Sequence, residues 1–128
     1  MKLNIILSVV LLFFLISCKK SDDTYQVRYE FSSDVSDEYK FVYAEGNGNL
    51  ATETKAGNSW VSKSFSMKKN KDGWAVPTIL RLEVYPPVSW QSISKQANVK
   101  LKIIINGEER VSSTKVLTST GVFEIISL

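Results

Sequence analysis

The side chains that most often carry enzyme chemistry are nearly missing from this sequence, which has no histidine and a single cysteine, Cys18. That composition excludes a Ser-His-Asp triad, a Cys-His pair, a Cys/His zinc site and any disulfide within the chain. Neither a cofactor nor a metal is expected. Catalysis would have to rest on carboxylates, lysines, tyrosines or serines. A glycosidase needs two carboxyls about 5–9.5 Å apart flanking a cleft, and Glu30 and Glu83 are two acids on polar strand faces that could converge. The expectation is that each is a solvated surface acid, so no catalytic residue is assigned and a non-enzyme is expected. Binding chemistry has better candidates, because exposed indoles stack on sugars and apolar ligands and anchor protein interfaces. Trp60 lies in a strand pattern and is expected in the core. Trp74, just beyond Gly73, and Trp90, just beyond Pro86-Pro87, are the expected ligand or partner contacts.

Cys18 is the remaining chemical site, and the segment before it must position it. Lys2 is followed by an unbroken mostly apolar run from Ile5 to Ile16, then Ser17 and Cys18. A positive start, an apolar stretch of this length and a small residue make a signal peptide over residues 1–17. Twelve helical residues would span only about 18 Å against a hydrocarbon core of about 30 Å, so a transmembrane anchor fits less well. Leu15-Ile16-Ser17-Cys18 resembles the lipobox of bacterial lipoproteins. The resemblance implies cleavage between Ser17 and Cys18, a diacylglyceryl group on the Cys18 thiol and acylation of the new amino terminus. Two or more chains make such an anchor stable, where one is marginal.

Residues 18–24 then read as a polar tether, since Lys19-Lys20-Ser21-Asp22-Asp23 offers no apolar surface to bury. A lysine or serine and two acids directly after the cysteine also resemble the surface-export signals of Bacteroidota lipoproteins. Lys19 differs from the aspartate that resembles an inner-membrane retention signal. Both features imply the outer membrane or the cell surface, with the membrane as a partner through the lipid. The net charge of +3 comes from scattered residues. Without a dense basic run and interleaved aromatics, nucleic acid is not an expected partner.

Residues 25–128 form one domain, since a chain of this size has room for a single core. Its dominant period is two. Tyr25-Gln26-Val27-Arg28-Tyr29-Glu30-Phe31 alternates apolar and polar without a break, as a half-buried strand must. Tyr39–Tyr43 repeats the pattern before a Gly46-Asn47-Gly48 turn. Trp60–Met67 reads as a strand with Val61, Phe65 and Met67 on one face. Lys68–Gly73 reads as a charged turn, and Ile79–Tyr85 as an alternating strand ended by Pro86-Pro87. Residues 88–97 suggest a loop with a helical turn. Val99–Ile105 leads into Asn106-Gly107, the dipeptide best suited to a type I′ hairpin. Arg110–Lys115 and Val122–Ile126 follow, separated by a turn at Thr118–Gly121. The fold expected is all-β: a small antiparallel immunoglobulin-like β-sandwich of seven or eight strands, with a small β-barrel as the alternative. Tyr29, Phe31, Phe41 and Phe65 are the expected buried aromatics, and Lys40 should face water.

The order of the Tyr25–Glu30 strand, the Trp60–Phe65 strand, the Lys100–Glu108 hairpin and the closing Gly121–Phe123 strand resembles the extracytoplasmic domain of MmpS-type proteins and related lipoproteins. Some relatives carry a cysteine pair near the last hairpin, where this chain has Leu101 and Ser127, and the stretch from Pro86 to Ala97 fits poorly. The resemblance implies a non-enzymatic accessory or interaction role beside an envelope transporter. A carbohydrate- or small-ligand-binding module remains the alternative.

Overall fold

The computed structural model describes residues 24–68 and 79–127. They form seven strands: β1 (Thr24–Ala44), β2 (Leu50–Val61), β3 (Phe65–Lys68), β4 (Leu80–Tyr85), β5 (Gln96–Ile105), β6 (Glu108–Thr118) and β7 (Phe123–Ser127). One 3-10 turn, Val88–Ser92, lies between β4 and β5.

β1 organises the fold. Its 21 residues would run for about 70 Å if straight, several times a usual strand, so it has to bend to stay within a small core. The bend falls where residues 33–36 of β1 bulge out opposite Asn58 of β2, between the pairs Ser32↔Ser59 and Asp37↔Gly57. Gly57 meets that distortion with a φ of 131°, a conformation that favours glycine. The first half of β1 pairs with β5 on one side and β3 on the other. The second half pairs with β4 and with β2, whose far end reaches back to Glu30. The two strands predicted at Tyr25–Phe31 and Tyr39–Tyr43 are thus halves of one bent strand. No glycine or proline interrupts the chain between them, and odd-numbered side chains keep facing inward through the bend.

With β6 beside β5 and β7 beside β4, the order is β6-β5-β1-β4-β7, all antiparallel. β6 and β7 lie against each other without a ladder among the described residues. The all-β expectation therefore holds, as a seven-stranded antiparallel sheet that nearly closes into a barrel around one core. The Asn106-Gly107 turn has both φ values positive, 51° and 78°, as a type I′ hairpin requires.

The two halves of β1 face each other through aromatic rings. Phe31 meets Tyr39 at 4.7 Å and Phe41 at 4.9 Å between centroids, and Phe41 stacks on Trp60 at 4.2 Å. Burying each such side chain contributes about 1.5–3 kcal/mol, and well-placed aromatic pairs add about 0.5–1.5 kcal/mol. Tyr29, Phe31, Phe41 and Trp60 are buried as expected, and Lys40 is exposed. Phe65 differs: it is only half-buried, packed on the outside of Tyr29.

The strand predicted over Trp60–Met67 also differs, since it breaks at Ser62–Ser64 and sends Val61 into solvent. Ser62 is the cause. Its Oγ accepts the Tyr29 backbone N–H at 2.9 Å and donates to the Lys63 carbonyl at 2.9 Å, while its own N–H donates to the Tyr29 carbonyl at 3.0 Å. A buried serine side chain replaces a ladder bond there, which shifts the facing of residues on either side.

Candidate functional site

Ser17, Cys18 and Trp74 lie outside the described residues. Trp90, expected as an exposed contact, is instead wholly buried. The Val88–Ser92 turn directs it inward, where its ring meets Tyr39 edge-on at 5.8 Å and its Nε1–H donates to Asp37 Oδ2 at 2.7 Å. Asp37 Oδ2 also pairs with Lys95 Nζ at 3.1 Å. The indole N–H, helped by the Glu38 backbone N–H, holds the Asp37 carboxyl below its ordinary pKa. The polar stretch after Pro86-Pro87 resembles a surface loop in sequence. Asp37, 53 positions away, supplies the partner that lets an indole be buried there.

The carboxylates do not form a catalytic pair. Glu83 is buried instead of solvated, ion-paired with Arg81 and accepting the Tyr85 hydroxyl at 2.7 Å. Glu30 is half-buried beside Arg28 at 3.7 Å. They sit on different parts of the sheet: Glu30 pairs with Lys102 from the first half of β1, whereas Glu83 pairs with Val42 in the second.

What the fold does build is a cleft at one end. Lys40 and Tyr85 face outward from paired positions of β1 and β4. Pro86 then turns the chain into the Val88–Ser92 segment, and the Ser119–Val122 turn between β6 and β7 closes the other side. The space between encloses about 260 Å³, with Val88, Gln91, Thr120 and Val122 on its walls. Val88 is 80% exposed and Val122 45% exposed, and both line this one concavity. Lys40 Nζ rests 4.4 Å above the Tyr85 ring centre, and among the described residues it forms no ion pair. Sequence reasoning missed this cleft, because its residues are scattered over three segments. The one local signal was Pro86-Pro87 followed directly by an apolar Val88.

A second hollow of about 250 Å³ lies on the outer face of the β5-β1-β2 region, lined by Glu30, Ser32, Ser59, Val61, Lys100 and Lys102. Phe31 and Trp60 also line it. Lys102 is already paired with Glu109 at 3.0 Å, and Glu30 brings a negative charge to the same hollow. Among the described residues, no group of three acidic, histidine or cysteine side chains could hold a metal ion.

No model of a known protein family matches this chain, and no curated protein is detectably similar to it in sequence.

Proposed function

We propose that this chain is a lipid-anchored, non-enzymatic interaction domain of the bacterial envelope, at the outer membrane or cell surface, acting as an accessory to an envelope transport system. The observation that carries the reading is the coincidence at Cys18: a lone cysteine, preceded by Ser17 and an apolar run, six residues before the first strand begins at Thr24. Six extended residues reach about 20 Å, enough to hold a domain just clear of a bilayer. The architecture supports this use. The chain enters β1 at the end of the sheet that carries the Asn106-Gly107 hairpin, which is bound to Gln26 by bonds of 2.8 and 2.9 Å. Among the described residues, the opposite end carries the Val88–Ser92 and Ser119–Val122 turns.

The carbohydrate-binding alternative has lost Trp90 as a stacking platform, because that indole is buried. The accessory role follows the MmpS-type resemblance and remains part of the proposal. Fractionation of cells producing the full chain tests the anchor. The wild type should partition with membranes and into the detergent phase, and Cys18→Ser should appear in the aqueous phase or as uncleaved precursor. Identical partitioning of both would remove the anchor. Protease treatment of intact cells tests the face of the membrane: loss of the domain supports surface display, and protection until lysis overturns it.

A further inference from the structure

We propose that the cleft between the Val88–Ser92 turn and the Ser119–Val122 turn is a docking site for a peptide segment of a partner protein, one that presents an apolar side chain beside a carboxylate, as a chain ending in an aliphatic residue does. The proposal deepens the interaction reading and rests on it for the partner's cellular context, while the chemistry of the cleft stands on its own geometry.

Three observations select this occupant. The first is charge: Lys40 is a cation held at the mouth of the cleft by the Tyr85 ring, and among the described residues no carboxylate neutralises it. One unpaired ammonium beside apolar walls suits a single negative charge. The second is the wall itself. Val88 and Val122 are left bare on facing sides of a space of about 260 Å³, the scale of one or two residues and too small for an extended chain. Covering them gains hydrophobic free energy that water contact forgoes. The third concerns sugars. Lys40 occupies one face of Tyr85 and Trp90 is buried beneath the turn, which reduces the aromatic surface a sugar could stack on. An apolar acid is therefore the better fit.

The position in the fold agrees. Gln96, at the start of β5, pairs with Thr118, which leads into the cleft's outer turn. Ile105, at the other end of β5, pairs with Val27 near the chain's entry. The length of β5 thus separates the cleft from the end of the domain where β1 begins by about 30 Å.

The test uses the full processed protein in detergent micelles and a fluorescein-labelled Gly-Ser-Gly-Val-Leu peptide, read by fluorescence anisotropy. The free-acid peptide should bind saturably, and its carboxy-terminal amide at least tenfold more weakly. Lys40→Gln should weaken the free acid by a similar factor while leaving the amide unchanged. Val88→Asp should weaken both, and because Val88 is 80% exposed, that variant should keep the wild-type circular dichroism and melting temperature. Lys100→Gln, on the other hollow, should change nothing. Equal affinity for acid and amide, no effect of Lys40→Gln, or no saturation by 5 mM peptide would each overturn the proposal. So would competition by maltoheptaose, which would make the site one for sugars. Binding is read on purified protein, so a Cys18 found unmodified would remove the anchor and leave this result untouched.

Discussion

Trp90→Phe removes the indole N–H from a buried site while keeping an aromatic ring in place. In the wild type that N–H donates to Asp37 Oδ2 at 2.7 Å, and a hydrogen bond to a charged acceptor contributes about 1.5–3 kcal/mol. Asp37 keeps Lys95 and the Glu38 N–H, and its side chain is 25% exposed, so water can replace part of the loss. The lower end, about 1.5 kcal/mol, is therefore expected for the bond. The smaller ring leaves a gap in a fully buried position and adds about 1 kcal/mol. Urea denaturation followed by far-ultraviolet circular dichroism should show a loss of about 2–3 kcal/mol, out of a total of about 5–15 kcal/mol for a domain of this size. The pH dependence carries the same bond. Because Asp37's folded pKa lies below its ordinary value of 3.8, the stability it contributes is present above that value and is lost as pH falls through the folded pKa. Trp90→Phe should flatten that acid-side decline, and Asp37→Asn should remove it. In a double-mutant cycle the two changes should couple by about 1 kcal/mol. A Trp90→Phe protein within about 0.5 kcal/mol of wild type, with an unaltered acid limb, would refute the reasoning and return Trp90 to the surface.

Phe41→Ala should cost about 3–5 kcal/mol in the same denaturation assay, since the ring is fully buried and stacked on Trp60. Lys40→Ala, one residue away on the outer face, should cost no more than about 1 kcal/mol, the scale of its contact with Tyr85; equal losses would contradict the register of β1. Ser62→Ala should destabilise by about 1–3 kcal/mol, because it strands the Tyr29 N–H in the core, and its effect should show as faster amide hydrogen exchange at Tyr29. Burial pushes the Tyr43 hydroxyl up to about 12 and Tyr29 higher still. A raised acid is stable below its ordinary pKa and loses that stability as pH rises through the folded value. Ultraviolet titration should thus find both phenols still protonated at pH 11, and urea stability should fall from about pH 10 upward; ionisation of all tyrosines near pH 10 in folded protein would contradict their burial.

Period two along Tyr25–Phe31 and Tyr39–Tyr43, and the Asn106-Gly107 turn, are local signals, and they gave the strands, their inward faces and a hairpin that the structure contains. Local signals fail where a distant residue decides. Nothing near Trp90 announces Asp37, which accepts the N–H of the buried indole. Ser62 reads as one of several surface serines until Tyr29 is brought opposite it. Glu83 lies on a strand's polar side, and its burial follows from Arg81 and Tyr85 on either side of it closing over the carboxylate. The union of two predicted strands into β1 was hidden because Ser32–Asp37 is rich in turn-forming residues. The cleft was the least legible feature, since Lys40, Val88 and Val122 meet only through the pairing of β1 with β4 and the path of the β6–β7 turn.

Mass spectrometry of the amino-terminal peptide, from protein purified out of membranes, reads the proposed anchor at Cys18 itself. The expected species is a chain that begins at Cys18 and carries a diacylglyceryl group on its sulfur. A chain that keeps residues 1–17, or an unmodified Cys18 in that membrane fraction, would contradict it.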